Sequence, residues 1–219
     1  MKPNFRLTSC TPCYGRPQRT LRAVECVVNQ DTNGWEAFFI GDGCPIFLEM
    51  LDKGVFKPYE ERALQNGNEI HFLSMTEHKG GWGYEARNLA FRLSRGKFFL
   101  FYDNDDVIKP THFSNYLAGI ENSAYDMVYY DSFIEPINQT RNAELNFGHI
   151  GHSEIIVRTE LLKDYRQKAQ YGQDWDLIEY LKRNGAVISK GKAPEPTYII
   201  KAIGGDDPNR ERRTEIDID

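Results

Sequence analysis

The chain has 219 residues, of which 40% are hydrophobic and 27% are charged, and these values are typical of a globular protein with one domain and a small appended region. Its formal net charge of -5 argues against a nucleic-acid partner and against a polybasic membrane surface. No apolar run approaches the ~18 residues of a membrane span, and no apolar leader follows Met1. We therefore expect a cytoplasmic protein without a transmembrane segment.

The first half of the chain alternates strand and helix patterns. We predict strands at residues 5–11, 35–40, 70–74 and 98–102, and helices at residues 17–30, 45–55 and 85–94. Strands that alternate with helices of about 10–15 residues predict a mostly parallel central sheet in a three-layer α/β/α domain.

The regular alternation ends after residue 133. We predict a helix at 111–120, a strand at 127–133, a strand at 154–157, and helices at 160–170 and 175–183. The polar stretch at 138–152 is long for a loop, and long loops in compact domains are commonly binding elements. We predict one domain over residues 1–203, followed by a frayed tail at 204–219 with mixed charges and little apolar content.

The acidic sequence Asp103-Asn104-Asp105-Asp106 follows the apolar run at 98–102 directly. It should lie at the carboxyl end of a buried strand, where open α/β sheets bind their ligands. Side chains two apart on an extended chain point the same way, so Asp103 and Asp105 could converge on Mg²⁺ or Mn²⁺, which also accepts oxygens from a diphosphate. The cluster favours a nucleotide-sugar enzyme, and the alternative is a turn that caps the next helix.

The four cysteines, Cys10, Cys13, Cys26 and Cys44, all lie in the first quarter of the chain. This distribution does not suit a disulfide framework, so we expect reduced thiols. Cys10-Thr11-Pro12-Cys13 is nevertheless a C-x-x-C sequence before a helical pattern, which is typical of thioredoxin-like sites. A thiol-disulfide oxidoreductase is therefore an alternative function.

Five segments, in order, resemble the motifs of family 2 glycosyltransferases. Residues 11–17 resemble "P-T-Y-N-R", with Cys13 and Gly15 at two of its positions, and residues 38–43 resemble a strand ending in "V-D-D-G-S", with Gly41 in place of the first Asp. Residues 85–96 are similar to "A-R-N-x-G-…-A-x-G", residues 99–106 to "I-x-F-L-D-x-D-D", and residues 173–177 to "E-D-x-D-L". The five segments together span roughly residues 5 to 185.

The resemblance implies a GT-A fold and transfer of a sugar from a nucleotide-diphosphate sugar to an acceptor hydroxyl, with inversion. It implies a nucleotide-sugar-binding half at 1–109 and an acceptor-binding half at 110–203. The residues that it implies for the nucleotide sugar are Thr11, Pro12, Tyr14, Arg16, Asp42, Arg87, Asp103 and Asn104. It implies Asp105, with Asp103, as ligands of Mn²⁺ or Mg²⁺, and Asp174 as the catalytic base.

Other features of the site stay open. His149, His152 and Trp175 are candidate acceptor residues. Because Gly41 and Cys13 depart from the family pattern, the donor could carry UDP, GDP or dTDP, with UDP as the default. The acceptor is a glycan or another hydroxyl compound. Residues 198–201 resemble a "Y-R-x-H" region without its His, so a third protein ligand to the metal is not assigned.

Several alternatives compete with this interpretation. Asp174 could merely cap the helix at 175–183. Asp176 is the other candidate base, but two residues along a helix it should point about 200° away from Asp174. A sugar-nucleotide pyrophosphorylase should carry a Gly-rich, Arg-containing loop after its first strand. Residues 10–16 instead have the sequence Cys-Thr-Pro-Cys-Tyr-Gly-Arg, which disfavours that class of enzyme. A catalytically inactive carbohydrate-binding relative should have lost carboxylates, whereas Asp103, Asp105 and Asp174 are all present.

Overall fold

The computed structural model describes residues 5–201, so the tail predicted at 204–219 lies outside the described residues. Within 5–201 the α-helices are α1 Pro17–Val28, α2 Pro45–Asp52, α3 Lys57–Gln65, α4 Tyr84–Leu93, α5 His112–Ile120 and α6 Gln173–Arg183. The strands are β1 Leu7–Cys13, β2 Trp35–Gly41, β3 Glu69–Ser74, β4 Phe98–Phe101, β5 Val107–Ile108, β6 Met127–Tyr129, β7 Ser132–Ile134, β8 Gln139–Arg141, β9 Ile155–Arg158, β10 Ile188–Lys190 and β11 Tyr198–Ile200.

Seven strands form the central sheet in the order β10-β6-β9-β4-β1-β2-β3. Strands β4, β1, β2 and β3 are parallel to one another, and β9 runs antiparallel between β4 and β6. Strand β2 is buried along its whole length, as expected for a central strand that is covered on both faces. The carboxyl ends of the four parallel strands therefore meet at one edge of the sheet.

Helices cover both faces of this sheet. One apolar core contains buried side chains of α1, α2, α3 and α5, and the other contains buried side chains of α4 and α6. This arrangement confirms the predicted three-layer α/β/α class with a mostly parallel sheet. The sheet edge that carries the acidic sequence therefore lies between two layers of helices, and each layer packs on the sheet through apolar side chains.

The predicted helix at 160–170 is wrong, since only Thr159–Leu162 forms a short 3-10 turn there. The Asn88 side chain of α4 binds backbone groups that would form helical hydrogen bonds if residues 160–170 were a helix. Asn88 accepts a hydrogen bond from the Gln167 N–H at 2.9 Å and donates one to the Gln167 carbonyl at 2.9 Å. Lys163 meanwhile donates to the carbonyls of Phe91 and Ser94 near the end of α4.

The strand predicted at 127–133 is two strands in two sheets. The chain leaves the central sheet after β6, where the Tyr130 N–H donates to the Glu154 carbonyl at 2.9 Å. It then enters a second sheet of order β5-β11-β7-β8. Helix α3 and strands β5, β8, β10 and β11 were not predicted, because they are short or have weak apolar patterns. None of the helices within residues 5–201 is both long and apolar enough to cross a membrane.

Candidate active site

An open cleft of about 810 Å³ lies at the sheet edge where β1, β2 and β4 end. Segments that follow these three strands line one side of it, and the start of α6 lines another. The lining residues that the sequence had singled out are Pro12, Tyr14, Arg16, Asp42, Arg87, Asp103, Asn104, Asp105, His152 and Asp174. A cleft of this size suits a ligand of several hundred daltons.

Two carboxylates of the acidic sequence are paired with arginines in the cleft. The Arg87 guanidinium donates to Asp103 at 2.8 Å, and Arg16 forms an ion pair with Asp105. Burial raises the pKa of the Asp103 carboxyl, and the positive charge of Arg87 partly offsets that rise. Asn104 is buried and donates to the Thr20 hydroxyl at 3.1 Å, which ties the acidic sequence to α1.

Asp106 anchors the second sheet to this edge. Its two carboxyl oxygens accept hydrogen bonds from the Tyr198 hydroxyl at 2.7 Å and from the Lys201 N–H at 2.8 Å. Burial, followed by the negative charges of Asp103 and Asp105, raises the pKa of Asp106 to about 7. All three carboxylates line the cleft, but both oxygens of Asp106 are engaged in hydrogen bonds that hold the second sheet in place.

Asp42, at the end of β2, fastens a glycine-rich loop, residues 78–83. Its carboxylate accepts hydrogen bonds from the Lys79 and Gly80 N–H groups, each at 2.9 Å. His78 lies 3.1 Å from the same carboxylate, and its ring stacks on Tyr14 with centroids 4.0 Å apart. Asp42 thus holds the loop against the turn that follows β1.

Two glycines permit this close approach. A Cβ on Gly43, which has φ +57, would come within 2.1 Å of the backbone nitrogen of His78. A Cβ on Gly83, which has φ +76, would come within 2.4 Å of the Pro12 ring. Both positions need a left-handed backbone and the absence of a side chain, so the glycine-rich loop can pack directly on Pro12 and on the segment after β2.

Asp174 lies in the first turn of α6 and lines the same cleft. Gly172 occupies the N-cap position, so Asp174 is not the capping residue. Burial raises the pKa of Asp174, and its charge in turn contributes to the raised pKa of Asp103. Asp176 accepts a hydrogen bond from the Tyr165 hydroxyl at 3.1 Å and is absent from the cleft lining.

The remaining candidates are distributed unevenly. His152 lines the cleft, lies 2.7 Å from the Gln167 side-chain nitrogen, and has its pKa lowered well below 6.5 by burial. His149 is exposed in the loop before it and does not line the cleft. Trp175 packs on the apolar core that contains α4 and α6 side chains, and the Lys182 side-chain nitrogen lies 4.4 Å from the centre of its ring. Thr11 is buried within β1, away from the cleft surface.

The acidic cluster fits a divalent cation that is shared with a diphosphate. Within residues 5–201 no group of three or more His, Cys, Asp or Glu side chains is arranged to hold a metal ion. Mg²⁺ commonly uses one or two protein carboxylates and takes its other ligands from water and substrate phosphates. Asp103 and Asp105 supply that number, and Arg16 and Arg87 beside them could pair with phosphate oxygens.

The cysteine pair does not have the geometry of a redox site. Cys10 and Cys13 lie on β1 three residues apart, and they belong to the cores on opposite faces of the sheet. Burial raises the pKa of Cys10 to about 12 and also raises that of Cys13, whereas reactive thiols have lowered pKa values. Side chains on opposite faces of a strand cannot be bridged without moving the backbone.

Several lining residues were missed from sequence. They include His78, Trp82, Arg141, Tyr171 and Gln173. A signal was available for two of them, because the sequence His-Lys-Gly-Gly-Trp-Gly at 78–83 follows a predicted strand and is rich in turn-forming glycines. The other three come from long loops or a helix start, and only the fold brings them to the cleft.

Sequence comparison matches residues 8–182 to the family described as Glycosyl transferase family 2. The protein WcaA of Escherichia coli (strain K12), named as a glycosyl transferase of colanic acid biosynthesis, is 28% identical over 118 residues. That alignment covers 54% of this chain and 39% of WcaA. The chain therefore spans about two fifths of the length of this relative.

Solved structures with the same fold include S. aureus TarS, residues 1–349, with a TM-score of 0.69 and 18% identity over 90% of this chain and 60% of the other. TarS has also been solved in complex with UDP and with UDP-GlcNAc. The mannosyltransferase PcManGT from Pyrobaculum calidifontis, in complex with GDP-Man and Mn²⁺, gives a TM-score of 0.70 and 15% identity over 92% of this chain and 58% of the other. These likenesses agree with the GT-A fold expected from the sequence.

Proposed function

Because the chain belongs to glycosyl transferase family 2, we propose that it transfers a sugar from a nucleotide-diphosphate sugar to an acceptor hydroxyl with inversion. One observation carries the proposal: Asp103 and Asp105 line the same cleft as Asp174. A transferase of this kind needs carboxylates for a cation, or arginines, to hold the diphosphate, and a basic carboxylate for the acceptor hydroxyl. This cleft offers both.

The donor side would be formed by the segments after β1 and β4. Asp103 and Asp105 would hold Mn²⁺ or Mg²⁺ together with diphosphate oxygens, and the ion would act as a Lewis acid for the departing diphosphate. Arg16 and Arg87 would pair with phosphate oxygens as charge-assisted donors. Tyr14 presents an aromatic ring at the cleft, which suits a nucleobase or ribose face.

The base of the donor remains a choice between uracil, guanine and thymine. UDP is our default, and the complexes of TarS with UDP and of PcManGT with GDP-Man show that both bases occur on this fold. Asp42 is engaged by the glycine-rich loop, so base recognition would rest on Tyr14, on His78 and on backbone groups rather than on a free Asp42 carboxylate.

Asp174 would act as the general base. As the acceptor oxygen attacks the anomeric carbon, its proton passes to the Asp174 carboxylate, and the bond from the anomeric carbon to the phosphate oxygen breaks. The nucleoside diphosphate leaves from the opposite face, so the anomeric configuration is inverted. The raised pKa of Asp174 supports this role, because general bases work best with a pKa near the working pH.

The competing functions fit less well. A thiol-disulfide oxidoreductase would need reactive, neighbouring thiols, and Cys10 and Cys13 lie on opposite faces of the sheet. An inactive carbohydrate-binding relative would have no reason to keep three carboxylates on the walls of one cleft. We retain the inactive relative as the alternative that the following experiment addresses.

The proposal is tested by release of nucleoside diphosphate from UDP-GlcNAc, GDP-Man and dTDP-glucose in the presence of Mn²⁺, with water as the acceptor. Asp174→Asn keeps the shape of the side chain and removes its basicity, so turnover should fall ~10²-fold or more. The matched control is Asp176→Asn, because Asp176 points toward Tyr165, and it should keep most of the activity.

Two results would contradict the assignment. Full turnover by Asp174→Asn together with loss of turnover by Asp176→Asn would move the base to Asp176. If the unaltered protein released no diphosphate from UDP-GlcNAc, from GDP-Man or from dTDP-glucose, the alternative of an inactive relative would replace the proposed transferase.

A further inference from the structure

Three exposed aromatic side chains lie along one margin of the cleft. Trp82, Phe147 and Tyr171 are 70%, 55% and 79% exposed, and we call them the aromatic lip. Trp82 and Tyr171 line the cleft itself, and the Phe147 ring is edge-on to Tyr171 with centroids 6.0 Å apart. Exposed aromatic clusters of this kind commonly mark binding surfaces.

The backbone holds Trp82 in its outward position. Its φ is +55, a left-handed conformation that is uncommon for a residue with a side chain. The Gln173 side chain donates to the Gly81 carbonyl at 2.7 Å, and Arg87 donates to the Trp82 carbonyl at 2.6 Å. Buried polar side chains therefore fix this strained backbone, which is a common feature of functional sites.

The other two rings are held at the start of α6. A Cβ on Gly172, which has φ +78, would come within 2.7 Å of the Phe147 ring, so Phe147 packs directly over this glycine. Gly172 is the N-cap of α6 and stands two residues before Asp174. The aromatic lip is thus joined to the helix that carries the proposed catalytic base.

We propose that the aromatic lip binds the sugar rings of a saccharide acceptor and so directs one of its hydroxyl groups toward Asp174. The inference rests on the proposed function for the role of that hydroxyl. The C–H faces of a pyranose ring are apolar and stack on aromatic faces, while its equatorial hydroxyl groups project sideways. Arg141 and Gln170, which line the same cleft, could bond to those hydroxyl groups.

The surroundings of the lip favour a saccharide over a lipid surface. Trp82 and Tyr171 line the cleft together with polar and charged residues, which include Arg141, Gln170 and Asp174. A surface that inserts into an anionic bilayer combines apolar side chains with clustered lysines and arginines. A saccharide requires both apolar surfaces and hydrogen-bonding groups, and the aromatic lip and the polar residues of the cleft supply both.

The test is ligand-observed saturation-transfer NMR on the full chain. The probes are tetrasaccharides of β-1,4-glucose, β-1,4-mannose, β-1,4-galactose and β-1,4-N-acetylglucosamine. At least one should bind, and Trp82→Ala and Tyr171→Ala should each weaken its binding roughly 10-fold, as truncation of a Trp or Tyr at a binding hot spot does. Tyr125→Ala removes another exposed tyrosine, 37% exposed and absent from the cleft lining, and should bind as the unaltered protein does.

Tryptophan fluorescence gives a second readout. Trp35 is 1% exposed and Trp82 is 70% exposed, while Trp175 is partly covered by the α6 core. Quenching by acrylamide should therefore report mainly on Trp82, and a bound tetrasaccharide should reduce it. The same measurement with phosphatidylglycerol vesicles should show no reduction.

Binding by no tetrasaccharide, binding that is unchanged in both lip variants, or protection of Trp82 by vesicles alone would each overturn the inference. Binding of UDP or GDP with Mn²⁺ by the unaltered protein separates this failure from that of the proposed function. Nucleotide binding without saccharide binding would contradict only the proposed role of the aromatic lip. Saccharide binding without nucleotide binding would support that role and contradict the proposed transferase function.

Discussion

His112, the first residue of α5, gives a stability prediction whose sign and size can be worked out. The residue is fully buried, and its Nδ1 lies 2.9 Å from the Thr197 hydroxyl. Within residues 5–201 its Nε2 has no hydrogen-bond partner, and the ring centres of Tyr116 and Tyr198 are 4.1 and 5.9 Å away. Burial lowers the pKa of His112 from 6.5 to about 3.

In the unfolded chain this histidine binds a proton below about pH 6.5, whereas in the folded protein it stays neutral until about pH 3. Because the unfolded state binds more protons between these values, the free energy of unfolding falls as the pH falls through this window. The stabilising contribution is fully present above pH 6.5. At pH 4.5, two pH units lower, the loss should be roughly 3 kcal/mol, a large part of a typical total of about 5–15 kcal/mol.

The assay is urea denaturation at pH 7.5 and pH 4.5 for the unaltered protein and for His112→Asn. The asparagine amide can still bond to Thr197 and does not titrate, and any packing cost is the same at both pH values. The unaltered protein should therefore lose roughly 3 kcal/mol more than the variant on acidification. His149→Asn, at an exposed histidine, is the control and should behave as the unaltered protein does. Equal losses in the unaltered protein and in His112→Asn would show that burial does not lower the pKa of His112 in the folded protein.

Two further predictions concern the cleft wall and the thiols. Gly43→Ala should lower the free energy of unfolding by about 2–4 kcal/mol in urea denaturation, because the new Cβ would clash with the backbone nitrogen of His78. The control is Gly67→Ala, which also has a positive φ but open space around it, and it should lower the free energy of unfolding by only about 1 kcal/mol. Equal losses in the two variants would contradict the clash. In the native protein Ellman's reagent should modify the partly exposed Cys26 and leave Cys10 and Cys13 unmodified until urea is added; rapid modification of either would reopen the redox alternative.

The sequence predicted the sheet edge well for physical reasons. The run at 98–102 is apolar, short and rich in aromatic residues, which is typical of a strand that is buried on both faces. The acidic residues that follow must then lie at its carboxyl end, and the structure places Asp103 and Asp105 in the cleft. The family resemblance pointed to Asp174, and helix geometry predicted that Asp176 would point in another direction; Asp176 accepts a hydrogen bond from Tyr165 and does not line the cleft.

The features that sequence reasoning missed depend on tertiary contacts. Residues 160–170 have a helical pattern, yet the Asn88 side chain bonds to the N–H and the carbonyl of Gln167, and the Lys163 side chain bonds to the Phe91 carbonyl in α4. The outward position of Trp82 depends on Arg87 and Gln173, which bind loop carbonyls from two other elements. No local pattern specifies such bonds, because the partners are far apart in the chain.

In the proposed function Asp103 and Asp105 bind a nucleoside diphosphate through a divalent cation, and thermal unfolding with UDP, GDP or dTDP measures that binding. With Mn²⁺, one nucleotide at 100 times its Kd should stabilise the unaltered protein by about 2.7 kcal/mol, or roughly 5–10 °C for a chain of this size. Asp105→Asn should lose the Mn²⁺-dependent part of that shift, while Asp164→Asn, at an exposed aspartate, should keep it. No shift with any of the three nucleotides, or a shift that is independent of both Mn²⁺ and Asp105, would contradict that proposal.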